Sequence, residues 1–590
     1  MRFIPLFLFA LITSTSLSGF GQKINYKLSM PEPHTHYFHV EIEIDGLKDD
    51  SIDVKMPVWA PGSYLVREFS KSVENFTADK GSFSLINKNT WRVYLKDKSC
   101  TISYDVYAFE MSVRTSFLDA NHGYINGTSM FMYLNGKKEL PSTLVITPPA
   151  NWKKVSTSLE RTSDKSFSYK APNYDILVDS PIEIGNQQEF EFEASGVKHK
   201  VAMYGEGNFD IALLKTDMAK IVESCTDVVG ENPNKEYTFI IHNLTNGSGG
   251  LEHLSSTTLQ VNRWGYETGR KYEEFLSLVA HEYFHLWNVK RIRPITLGPF
   301  DYDSENYTNL LWLCEGFTSY YDELLLKRAG YYDADKYLHK LSNTISRVEN
   351  QPGNKLQPVT EASFHAWIKA YRPTENSRNT TISYYPKGAL LANALDLIIL
   401  ENTNAEKNLD DVLKLLWKDY YKKLNRGFTD KEFQTAVEQV ARKKLNDFFK
   451  NTVAGTQTID YKTYFNYAGC EIIDKNEGSE NVKLGASTSS KNGRLMVTRV
   501  YRETAAYVYG LNVNDEIVAI DGYRVADNDL NTLIKSYKAG DIITITISRD
   551  GIMKDIKVTL KNDTNVNYEI VQIKNPSEKQ QRVYKKWLSE

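Results

Sequence analysis

VAHEYFHLWNVK, residues Val279–Lys290, sets two histidines four positions apart, with a glutamate directly after the first. Positions i and i+4 share one helix face, a single turn apart. His281 and His285 can therefore aim two imidazole nitrogens at one metal ion, and Glu282 can reach a water beside it. The competing reading is a buried helix whose histidines only satisfy core hydrogen bonds. A third ligand separates the two. Beyond a loop with Pro294, Gly298 and Pro299 comes LWLCEGFTSYY, Leu311–Tyr321, which carries Glu315 between Leu313, Cys314 and Phe317. A carboxylate in so apolar a helix needs a partner, and a metal held by two histidines is one. Cys314 is the other candidate ligand. It points about 100° away around the helix and reads as core packing.

Zinc suits two imidazoles and a carboxylate, keeps a fourth position open, and makes Glu282 the general base for hydrolysis. One Zn2+ per chain is expected. The oxyanion of such a reaction needs a further donor. SYYPKG, Ser383–Gly388, offers Tyr384 and Tyr385 at the start of a helix, and spacing does not choose between them. Upstream, NGSGGLEH, Asn246–His253, has Gly249 and Gly250 where a backbone must pass close to an extended ligand. Glu252 follows, and its carboxylate could pair with a substrate's free α-amino group. The alternative for that stretch is a glycine-rich turn with a solvated glutamate.

Outward from the site, the 590 residues suggest three to five domains. A formal net charge of −3 gives no global field favouring nucleic acid or an anionic membrane. Residues 1–21 (Arg2, an apolar run from Phe3 to Ile12, then small residues) read as a signal peptide, predicting an exported chain, periplasmic or extracellular, without stable membrane insertion after cleavage. Residues 22–186 alternate apolar and polar, as in HYFHVEIEIDG, and read as a β-sandwich-like domain. His34, His36 and His39 lie there without an evident further ligand. Residues 187–401 carry helical periods and the HExxH segment. Residues 402–473 read as amphipathic helices, with a capping box from Thr429 to Glu432. A polar linker follows near 474–483, then short strands over 480–563, then what reads as a polar tail, 564–590. The four cysteines, Cys100, Cys225, Cys314 and Cys470, are too few for a disulfide scaffold in a chain this size.

GGLEH, HEYFHLW, LWLCEGFTSYY and YYPKG resemble the glycyl aminopeptidase family of gluzincin zinc peptidases. MPVWAPGSYLVREFS, VRTSFLDANHGYINGTS, YDILVDSPIEIG, WNVKRIRP, AWIKAYRPTENS and GFTDKEFQTAVEQVA extend the resemblance over most of the chain. It implies a multidomain α+β fold: an N-terminal β domain, a thermolysin-like catalytic domain, a helical domain and a C-terminal PDZ domain. It also implies zinc ligands His281, His285 and Glu315, base Glu282, transition-state tyrosine Tyr385, amine anchor Glu252, and a preference for N-terminal Gly and Ala. Residues of Ser363–Pro373, His365 among them, are candidates to line or flank the side-chain pocket. GLNVNDEIVAIDGYRV, Gly510–Val525, independently reads as the turn-strand-turn of a PDZ module, which takes a C-terminal peptide as an added strand. Its carboxylate loop departs from the usual pattern at Leu484-Gly485-Ala486-Ser487. The function expected is removal of small N-terminal residues from peptides. The rivals are a metalloendopeptidase whose PDZ domain recruits protein substrates, a non-catalytic peptide-binding protein, and a zinc hydrolase acting on a non-peptide.

Overall fold

A computed structural model describes residues 22–525 and 529–590. The signal peptide expected at 1–21 lies outside them. Among the described residues no helix is long and apolar enough to cross a membrane.

The N-terminal domain is built from alternating strands. Tyr37–Asp45 buries every second side chain, with Phe38, Val40, Ile42 and Ile44 inward, as a strand with one solvated face must. It pairs antiparallel with Lys23–Ser29 and Cys100–Tyr107 in a seven-stranded sheet, and two four-stranded sheets complete the domain around one core. His34 sits in a 3-10 turn and His36 at that turn's left-handed cap. His36 Nδ1 is bound to the Leu118 carbonyl and His39 Nδ1 to Asp105, so both rings have ordinary partners.

The catalytic domain opens with a five-stranded sheet. Its order is Gln188–Ala194, Val197–Tyr204, Glu236–Leu244, Ser256–Asn262, Gly250–Glu252. The middle three strands run parallel, and the short Gly250–Glu252 strand closes the edge antiparallel. Helices follow at Arg270–Phe284, Leu311–Arg328 and Tyr384–Asn402. The last two cross at glycines: a Cβ on Gly316 would strike the backbone of Gly388, and one on Gly388 would strike the Trp312 carbonyl oxygen. Side chains absent at both positions let the two backbones touch.

Two segments differ from expectation. The helices of residues 402–473 share one continuous core with the catalytic domain, with Leu409, Leu413, Phe433 and Phe465 in the same cluster as Leu276 and Leu313. The stretch expected as a polar tail is folded. Tyr568–Gln572 pairs antiparallel with Cys470–Asp474, and Glu578–Leu588 is a helix that buries Val583, Trp587 and Leu588. Averaged over the segment its composition is polar, but those three residues fall on one face of a helix begun by a Ser577–Gln580 capping box. The PDZ fold, with its own separate core, thus lies between two adjacent strands of the catalytic unit. All four cysteines are buried and free.

Candidate metal centre and peptide cleft

His281 lies in the last turn of the Arg270–Phe284 helix, and His285 caps it with helical dihedrals. The one-turn spacing therefore survives to the helix end. Across from them, the Leu311–Arg328 helix presents Glu315. Its Oε2 is 3.5 Å from His281 Nε2 and 3.3 Å from His285 Nε2. The three candidate donor atoms lie within 4.8 Å of one another.

The rings are held from behind. His285 Nδ1 lies 2.7 Å from the Asn288 carbonyl oxygen, so Nδ1 carries the proton and Nε2 offers a lone pair toward Glu315. His281 Nδ1 lies 2.9 Å from Asp322 Oδ2. Asn288 is itself fixed by the Leu313 and Cys314 carbonyls and Thr318. Outer partners of this kind set the tautomer and orientation of metal-binding imidazoles. Two imidazole nitrogens and a carboxylate oxygen, each with its other side occupied and all converging, fit zinc by number and by donor type.

Glu282 is 5% exposed, and its Oε2 has no hydrogen-bond partner. Gly250 explains how it can be reached: a Cβ there would lie 2.6 Å from the Glu282 carboxyl, so only glycine lets the edge strand approach. Gly249 holds φ at +90°, a left-handed conformation that favours glycine. Burial pushes the Glu282 carboxyl upward, with Glu252 and Glu315 adding to it and the two histidines opposing. Glu315 is held low: burial opposes, but its contacts with His285 and His281 outweigh it. Two carboxyls on neighbouring helices are thereby pushed apart in basicity, an arrangement suited to one ligand and one proton carrier.

Glu252 is 4% exposed, and no described side chain hydrogen-bonds or ion-pairs with it. Its carboxylate lies within 4.8 Å of the donor atoms of Glu282 and His285. Gly62, from the N-terminal domain, presses on it, since a Cβ there would fall 2.6 Å from Glu252 Oε1. Tyr385 lines the same cavity of about 420 Å³ and lies nearly parallel to the His281 ring, 20° off, with centroids 6.3 Å apart. Tyr384 does not line it. Its hydroxyl is buried without a partner and its ring stacks on Tyr385.

Other sequence candidates lie elsewhere. Cys314 is fully buried and outside both clusters that could hold a metal ion. His365 binds Glu361, 3.3 Å away, and no residue of Ser363–Pro373 lines the cavity. Tyr371 alone comes near it, through a 3.5 Å bond from its hydroxyl to the Gly62 carbonyl. Four contributors escaped the sequence reading: Asp322, Asn288, Gly62 and Arg114. The last two lie in MPVWAPGSYLVREFS and VRTSFLDANHGYINGTS, stretches whose likeness to the family was visible but whose place at the site was not.

Fold and site together define a class, the zinc metallopeptidases. The chain belongs to the M61 glycyl aminopeptidase family: residues 25–186 match the peptidase M61 N-terminal domain, 274–391 the M61 glycyl aminopeptidase domain, and 482–560 a PDZ domain. It is similar, at 33% identity, to a crystal structure of an aminopeptidase N family protein from Idiomarina loihiensis. That likeness has a TM-score of 0.88 and covers 96% of this chain and 100% of that one. A shorter segment is similar to a probable CtpA-like serine protease of Staphylococcus epidermidis, 29% identical over 171 residues, and to the carboxy-terminal processing protease CtpB of Bacillus subtilis, 26% identical over 127 residues. These matches cover 28% and 21% of this chain, and the chain spans 31% and 26% of the length of those two curated relatives.

Proposed function

We propose that the chain is an aminopeptidase that removes small N-terminal residues, Gly and Ala first, from peptides, with His281, His285 and Glu315 holding one zinc ion. The observation that carries this reading is Glu252. It lines the cavity with no side-chain partner, and a second carboxylate, Glu282, whose Oε2 is buried and unpaired at a cost, stands within 4.8 Å. A cation between them relieves both. The α-ammonium of a peptide is such a cation, and it places the first peptide bond beside Glu282 and the ligand cluster.

Bound zinc supplies Lewis acidity, polarising a carbonyl and acidifying water. The residues do the rest. Glu252 accepts hydrogen bonds from the ammonium and fixes which bond is presented. Glu282 Oε2 takes the proton of the attacking water and returns it to the leaving amine. The Tyr385 hydroxyl donates to the carbonyl oxygen as negative charge gathers there. Gly62 and Gly250 press backbone against the two carboxylates, which supports a preference for small first residues.

The test is hydrolysis of Gly-, Ala- and Leu-amide fluorogenic substrates, free or acetylated at the N-terminus, with and without a chelator. Chelator-sensitive cleavage of free-amine Gly and Ala substrates is expected. Glu282→Gln should lower kcat by about 10²–10⁴-fold while metal content stays that of the unaltered chain. Equal cleavage of acetylated substrates would overturn the amine-anchor reading in favour of an endopeptidase.

A further inference from the structure

The N-terminal domain sends one guanidinium into the cleft. Arg114 lines the cavity together with Glu252, Glu282 and Tyr385. Its neighbours are buried and tied down. The Val113 carbonyl accepts from the Tyr124 hydroxyl and from Asn126 Nδ2, both at 3.2 Å. Thr115 Oγ1 donates to the Glu110 carbonyl at 2.7 Å. Arg114 is thus held on a fixed loop, yet its side chain makes no hydrogen bond or ion pair with any described residue, and its Nε is buried without a partner. A second cation, Arg67, lies close enough that Arg114, after burial, helps lower its pKa. Guanidinium is always charged and offers a planar fork matched to carboxylate. Arg67 has the Glu110 carboxylate beside it, but Arg114 has no acid of its own, and an unpaired guanidinium calls for an anion.

Glu252 and Arg114 are therefore opposite charges, both unsatisfied, in one cavity of about 420 Å³. That pattern complements a zwitterion. An extended dipeptide separates its ammonium from its carboxylate by roughly 7 Å, and cleavage occurs between them. The Tyr371 phenol lies among these groups: burial raises its pKa, Glu315 and Glu252 add, and Arg114 opposes.

We propose that Arg114 is a specificity residue that binds a carboxylate on the leaving side of the scissile bond, so that the preferred substrates are short peptides, dipeptides foremost, with a free C-terminus. This rests on the aminopeptidase reading of the same site. The carboxylate could come from the α-carboxyl group or from an acidic second side chain, and the α-carboxyl is the source assigned here.

The zinc-loaded full chain should be assayed on Gly-Leu, Gly-Leu-amide and Gly-Glu-amide, as the unaltered protein and as Arg114→Lys and Arg114→Ala, with circular dichroism melts to check folding. In the unaltered chain kcat/KM for Gly-Leu should exceed that for Gly-Leu-amide by about 10–100-fold, as a lost charged hydrogen bond implies. The ratio should fall toward one in Arg114→Ala and lie between in Arg114→Lys. A ratio near one in the unaltered chain, or one unchanged in Arg114→Ala, would overturn the proposal. Gly-Glu-amide rivalling Gly-Leu would overturn the free terminus as source and leave an acidic second residue. If none of the three is cleaved, the aminopeptidase reading fails instead. Calorimetric binding of Gly-Leu against Gly-Leu-amide then decides the role of Arg114: an affinity gap lost in Arg114→Ala supports it, and no gap overturns it.

Discussion

Residue by residue, the metal cluster depends on groups that never touch the metal position. His281 faces Glu315 with Nε2 because Asp322 holds Nδ1 at 2.9 Å. Replacing that carboxylate leaves the ring free to turn and its Nδ1–H without an acceptor. Asp322→Ala should weaken zinc binding by about 10–100-fold, read by competition with a metal indicator. His281, His285 and Glu282 are legible from five consecutive residues because helix periodicity is local. Glu315 is legible because a carboxylate among leucine, cysteine and phenylalanine is an anomaly that needs a cause. Tyr385 against Tyr384 is not legible, since which ring meets the cleft depends on the rotation of the Tyr384–Asn402 helix about its axis. Arg114 is not legible either, because an arginine in a loop 167 positions before His281 carries no mark of what it will face.

Among the elements, the decisive contact is the crossing of the Leu311–Arg328 and Tyr384–Asn402 helices. Glu315 and Tyr385 each stand beside it, one residue before Gly316 and three before Gly388. The EG and KG pairs in the two motifs thus share one physical reason: the glycines bring the helices close enough for their functional neighbours to share a cavity. Gly388→Ala drives a methyl group into the Trp312 carbonyl and should destabilise the catalytic unit by about 1–3 kcal/mol, seen as a lower midpoint in chemical denaturation. The Gly250–Glu252 edge strand shows the same logic, with a missing side chain admitting backbone beside Glu282.

On the scale of the whole molecule, the last helix closes the catalytic unit after the chain has made its excursion through the PDZ fold. Trp587 is fully buried, its indole N–H donates to the Tyr320 hydroxyl at 3.2 Å, and its ring packs on Tyr337 and Phe465. Trp587→Ala should cost about 3–5 kcal/mol. Scanning calorimetry should show the loss in the catalytic transition, while the PDZ transition, resting on its own core, stays in place. The PDZ fold touches the catalytic unit through paired bonds of Asn379, whose Nδ2 donates to the Val500 carbonyl and whose Oδ1 accepts from the Arg502 amide. These bonds tie the module to the segment just before the Tyr384–Asn402 helix, whose first turn carries Tyr385.

The sequence by itself determined the local chemistry: the HExxH helix, its candidate third ligand, the alternating strands of the N-terminal domain, the capping box at Thr429, and the PDZ turn. Each is written in residues a few positions apart, within reach of one helical turn or one strand period. Tertiary structure alone decided the rest. It brought Gly62 and Arg114 from another domain against Glu252, chose Tyr385 over Tyr384 for the cleft, merged residues 402–473 into the catalytic core, and folded an apparent tail back as a buried helix. The physical reason is common to all four: burial and charge pairing are properties of neighbours in space, and chain position records only neighbours in sequence.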